Sequence, residues 1–134
     1  MRVFLDTNVL VAAIAARGLC ADLLRGILAG HELVVSEVVL AELRRVLTRR
    51  VGVSDELWQE IDRFIRGFEV VACPSGHLGL GLRDPDDEWI VASAVAAHAD
   101  LLVTGDADIL VAGSTLPILT LTPRQSWNVL RGGR

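Results

Sequence analysis

Short apolar runs that stop at polar residues and are separated by helix-length segments recur along this chain, and that alternation is what most constrains its fold. Val3-Phe4-Leu5 halts at Asp6-Thr7-Asn8 and leads into residues 9–16, alanine-rich and long enough for a helix. A helical stretch at 21–29, closed by Gly30, precedes Leu33-Val34-Val35, which halts at Ser36, a good N-cap. Residues 68–72, 101–104 and 117–121 read as further strands. A strand with no polar alternation is buried on both faces, so the expected architecture is α/β, with a parallel sheet covered by helices on each side.

The intervening segments carry their own signals. Within 37–50, Val39, Leu40, Leu43, Val46 and Leu47 recur at three and four, which predicts one amphipathic helix with arginines on its other face. Ser54 caps a predicted helix reaching about residue 66, with Leu57, Trp58, Ile61, Phe64 and Ile65 as its buried stripe and Gly67 as its stop. Residues 73–82 form a Gly-rich loop, and Asp84-Pro85-Asp86-Asp87 then opens a helix that is apolar almost all round from 89 to 99 and must be buried. A short helical segment is expected after Gly105-Asp106, and a C-terminal helix from Thr122-Pro123 to about residue 131. No repeat or linker interrupts this pattern, which predicts a single domain over 1–134 with its core at about 2–122.

At 134 residues and 51% hydrophobic, the chain can bury a core without disulfides or structural metal. All 13 basic residues are arginine, so chemistry that needs an ε-amine is excluded, and the absence of tyrosine excludes phenol acids. A net charge of −4 argues against a general nucleic-acid coat but not against a nuclease that gathers carboxylates and grips phosphate with local arginines. Cys20 and Cys73 have no ligand-spaced partner and read as buried free thiols. His31, His77 and His98 share no spacing and read as structural or exposed; Trp58, Trp89 and Trp127 read as core or interface. No apolar run approaches the ~20 residues of a membrane span, and Asp6 and Asn8 break the first one, so the expectation is a cytoplasmic protein with no membrane association.

Open parallel sheets form their sites beyond the carboxyl ends of the strands, where the strand order reverses. Asp6 and Asp106 each follow a strand, Asp87 heads the row Ile90, Val91 and Ala94 on the buried helix, and Glu42 flanks the apolar stripe of its own helix. Each also has a plainer reading. Asp6 is a turn former or N-cap, Glu42 a solvated acid paired with Arg45, and Asp106-Ala107-Asp108 an Asp-rich turn, while Asp84, Asp86 and Glu88 are cap and helix-dipole residues.

Four segments occur in this order: Val3-Phe4-Leu5-Asp6-Thr7-Asn8-Val9-Leu10, Ser36-Glu37-Val38-Val39-Leu40-Ala41-Glu42-Leu43, Asp87-Glu88-Trp89-Ile90-Val91-Ala92-Ser93-Ala94 and Ala99-Asp100-Leu101-Leu102-Val103-Thr104-Gly105-Asp106. Together they resemble a PIN domain, most of all the small VapC-type toxin ribonucleases of toxin-antitoxin pairs. The resemblance covers residue 3 to about 121. It implies a three-layer α/β/α fold around a mainly parallel sheet of roughly five strands. It also implies a metal site of Asp6, Glu42, Asp87 and Asp106, with Asp108 as the alternative fourth ligand and Asn8 and Thr104 in support.

Carboxylates are hard ligands suited to Mg²⁺ or Mn²⁺, and such ions can activate water against a phosphodiester without a histidine or lysine base. The expected activity is therefore divalent-metal-dependent endoribonuclease, with Arg45, Arg49 and Arg83 as candidate contacts to RNA. The resemblance further implies a cognate antitoxin and a homodimer. Two other readings compete. A haloacid-dehalogenase-type phosphatase would use Asp6 as nucleophile, but this chain has Asn8 where a second Asp is usual, and no lysine. A non-catalytic interaction or RNA-binding module would have no use for so many clustered carboxylates, which repel one another.

Overall fold

Val3, Phe4 and Leu5 point alternately to opposite faces of a strand, yet none is more than 1% exposed, so the sheet is covered on both sides. The chain is described by a computed structural model over residues 1–74 and 79–132. Five strands, β1 (Arg2–Leu5), β2 (Glu32–Ser36), β3 (Glu69–Val71), β4 (Leu101–Val103) and β5 (Leu119–Leu121), pair in the order β3-β2-β1-β4-β5. Every pairing is parallel. The chain winds from β1 outward to β3 and then returns to place β4 on the other side of β1, so the order reverses between β1 and β4. With helices covering both faces, this is the expected three-layer α/β/α architecture.

Seven α-helices are present among the described residues: α1 (Thr7–Ala15), α2 (Leu19–Gly30), α3 (Glu37–Val46), α4 (Asp55–Ile65), α5 (Pro85–Ala96), α6 (Ala107–Val111) and α7 (Pro123–Gly132). Side chains cap most of their N-termini: Asp6, Ser36, Ser54, Asp84 and Asp106 each accept a backbone N–H from the first turn of the helix that follows. Thr122 and Gln125 exchange hydrogen bonds at the start of α7 as a capping box. The apolar segment 90–94 of α5 is fully buried. At the opposite edge of the sheet from the site described below, Arg2 reaches Glu32 and Glu69 and donates to the carbonyls of Ala97 and His98, fastening three strand starts to the end of α5.

Four sequence expectations need correction. The helix expected over 37–50 is α3 followed by a wide π-helical turn, Leu47–Val51, closed by Gly52 at φ 87. Leu47 stays buried at 0% exposure through this widening, and the N–H of Val53 bonds back to its carbonyl. The stripe on α4 is only half covered: Trp58 and Ile65 are buried, whereas Leu57 and Phe64 are exposed beside an apolar groove they share with Leu10, Ile14, Leu24 and Leu33. Cys73 is exposed rather than buried, since it lies on the loop after β3, and Cys20 is partly buried. Trp89 and Trp127 are half-buried. His77 lies outside the described residues, while His98 is exposed in a left-handed conformation (φ 54) at the end of α5.

Candidate metal centre

β1 and β4 are neighbours, so the residues just past their ends are brought side by side: the N–H of Asp6 donates to the carbonyl of Val103 at 3.1 Å. Thr104, wholly buried, joins the two acids. Its hydroxyl donates to Oδ2 of Asp6, and its oxygen accepts the N–H of Asp106 at 3.0 Å. The other oxygen of Asp6 accepts the N–H of Val9 at 3.0 Å, and Oδ1 of Asp106 accepts the N–H groups of Asp108 and Ile109 at 2.9 and 3.2 Å. The capping role read for Asp6 is thus used, Asp106 caps α6 in the same way, and these bonds fix each carboxylate at a helix start. Each carboxylate oxygen carries two lone pairs, so capping leaves acceptor capacity for a further ligand.

α5 brings the third acid. Asp84 caps the helix, accepting the N–H of Asp86 at 2.9 Å, and Asp87 stands in the first turn. Carboxylate oxygens of Asp87, Asp106 and Asp108 lie within 4.8 Å of one another, close enough for one ion to hold all three. Burial lifts the carboxyl of Asp87 to about 6, and the charges of Asp106, Asp84, Asp108 and Asp6 add to that rise. Asp6 is 7% exposed; burial raises its pKa against the lowering effect of its bonds to Thr104 and Val9, and Asp106 and Glu42 raise it further. A carboxyl whose folded pKa is raised favours the folded state while protonated. The stability contributed by Asp87 therefore declines as pH rises from about 4 through about 6 and stays low above that. A cation among these acids would offset that cost.

Glu42 lies outside the tight group. Its charge is felt by Asp6, but its carboxylate makes a loose contact with Arg45 at 3.9 Å, as the plainer reading expected. Asn8 is exposed on α1 and lines a cleft of about 470 Å³ with Glu42, Arg45, Val46, Arg49 and Arg50. Arg83 is 87% exposed on the opposite flank, 3.8 Å from Asp108. The structure thus brings Asp87, Asp106 and Asp108 together, holds Asp6 behind them through Thr104, and sets Glu42 at the border with the arginine cleft. Sequence reading missed Arg50 as a wall of that cleft, although its spacing of eight residues from Glu42 carries the signal.

A family model described as the PIN domain matches residues 2–108. The chain belongs to the PIN domain family. No curated protein sequence matches this PIN domain. Solved structures similar to it include VapBC2 from Rickettsia felis bound to a DNA fragment from its promoter, at TM-score 0.62 and 22% identity over 90% of this chain and 97% of that one. FitAB bound to the IR36 DNA fragment is similar at TM-score 0.63 and 18% identity, over 90% of this chain and 94% of that one. At such identities the likeness is one of fold. Among the described residues, no single helix of this PIN domain is long and apolar enough to cross a membrane.

Proposed function

We propose that this PIN domain is a divalent-metal-dependent endoribonuclease, with Mg²⁺ or Mn²⁺ held by Asp87, Asp106 and Asp108 and completed by Asp6 and Glu42. The observation that carries this reading is the convergence of three carboxylates within 4.8 Å at the point where the strand order reverses. The donor set fits the ion: all oxygen, no histidine or thiol, and more negative charge than the site can hold comfortably without a cation. Bound there, divalent ions supply Lewis acidity for in-line attack of water on a phosphodiester.

The chain's own residues supply position and charge. Asp6 is locked by Thr104 and Val9, and Asp106 by the first turn of α6, so both carboxylates are held before any ligand arrives. Arg83 and Arg45 stand on the two flanks, where their guanidinium groups can receive phosphates of the substrate strand.

We further assign this protein as the toxin of a VapBC-like pair, acting in the cytoplasm and forming a homodimer. Its fold likeness to VapBC2 and FitAB supports that role, and the apolar groove beside exposed Leu57 and Phe64 supports a protein partner such as an antitoxin. The test is cleavage of RNA by the purified protein in Mn²⁺ and in chelator. Cleavage only with metal is the expected result; cleavage that persists in chelator would refute the metal-dependent reading.

A further inference from the structure

The cleft beside Glu42 is lined by residues of two origins. Asn8 comes from α1, two positions after Asp6, while Glu42, Arg45, Val46, Arg49 and Arg50 follow the spacing i, i+3, i+4, i+7 and i+8 of a single helical face. α3 carries the first three of these, and the wide turn Leu47–Val51 carries Arg49 and Arg50. Three cations thus face one acid in a chain whose net charge is −4, and both Arg49 and Arg50 are exposed. The ion pair between Arg45 and Glu42 at 3.9 Å is loose, and the Arg45 side chain is 59% exposed. Among the described residues no aromatic side chain lines the cleft, so these residues offer donors for a backbone and no platform for stacking bases. At Asn8, two residues after Asp6 at the start of α1, the cleft reaches the strand-end acids, and its other wall, which carries Glu42, belongs to α3, which packs against α1.

We propose that this cleft binds backbone phosphates of the RNA strand on one side of the bond to be cut, with Arg49 and Arg50 as the gripping residues and Asn8 as a further donor. The proposal rests on the reading of the acid cluster as the cutting site. Guanidinium forks match phosphate oxygens in bidentate geometry, and a turn wider than an α-helix presents two consecutive arginines to the same cleft. Contacts of this kind hold the strand in register and carry no base preference.

The test is binding of a short, labelled, single-stranded RNA in chelator, followed by fluorescence anisotropy across a salt series from about 50 to about 200 mM. The double variant Arg49→Ala/Arg50→Ala is expected to bind on the order of tenfold more weakly, with the slope of log K against log salt shallower by about 1.4, or ~0.7 per lost phosphate contact. Arg63→Ala, at an exposed arginine lining a different cavity between α3 and α4, is expected to leave both unchanged. Wild-type affinity and slope in the double variant would overturn the proposal, as would an equal loss in Arg63→Ala.

A Mn²⁺ titration of the double variant, expected to match wild type, separates the two readings. If the RNA is bound through Arg49 and Arg50 but never cut, the phosphate-gripping role of the cleft stands, while the nuclease assignment fails and with it the cleft's place beside a bond to be cut. If RNA is cut with metal while the double variant keeps wild-type KM and salt slope, the nuclease assignment stands and the cleft assignment fails.

Discussion

Asp6→Asn is expected to lower metal-dependent RNA cleavage by on the order of 10³-fold while the melting temperature holds or rises. Asparagine has almost the same shape, and its oxygen can still accept the N–H of Val9, so the cap on α1 survives. What is lost is a buried negative charge set among Asp106, Asp87 and Glu42. In the metal-free protein that charge is costly, since burial and neighbouring acids already raise its pKa, so its removal relieves repulsion. Activity and stability thus move in opposite directions, a signature that a residue serving the fold alone does not give. Cleavage rates beside thermal melts in chelator check it, and retained cleavage would count against Asp6 as part of the centre.

Thr104→Val has the second largest expected effect, and it separates holding from ligating. The side chain is wholly buried, out of reach of a bound strand; its hydroxyl donates to Asp6 and its oxygen receives the N–H of Asp106. Valine keeps the volume and removes both bonds, leaving the Asp106 N–H unpaired at a cost of about 1–3 kcal/mol. The oxygen arrangement of the centre loosens as well, so metal affinity and cleavage are expected to fall roughly 10–100-fold. Thr104→Ser retains the hydroxyl and is expected to recover cleavage to near wild type at a small loss of stability. If the serine variant were as inactive as valine, the role of Thr104 would be packing rather than positioning.

The parts of the site that were legible in the sequence are those that follow from strand ends. Asp6 and Asp106 end apolar runs, so their place at the sheet's carboxyl edge follows from chain direction alone. The distance of a helical acid from that edge depends on packing that the sequence does not state. Asp87 reaches the group because α5 starts there with Asp84 as its cap, whereas Glu42 stands at the border. The sequence reading put Asp106 first with Asp108 as its alternative, whereas the start of α6 presents both carboxylates to Asp87.

The fold shows the same division. Apolar runs locate all five strands, and burial on both faces holds for the three central ones, β1, β2 and β4, whereas the edge strands β3 and β5 keep Glu69 and Leu119 exposed. Periodicity marked Leu57 and Phe64 as part of an apolar face, yet it does not say what covers that face, and in this chain nothing among the described residues fully does. The π-helical turn at Leu47–Val51 was hidden for a related reason. The apolar stripe runs as far as Leu47, the first residue of the turn, at helical spacing, and only the wider hydrogen bonding beyond it reveals the change.

The central claim is that the acids around the β1 and β4 ends form a cation site, and direct titration of the chelator-treated protein with Mn²⁺ tests it most directly. The account predicts saturable binding in wild type, a rise in melting temperature with Mn²⁺ concentration, and loss of both in Asp87→Asn/Asp106→Asn. Wild-type protein that shows no saturable Mn²⁺ binding, or a double variant that binds as tightly as wild type, would contradict it.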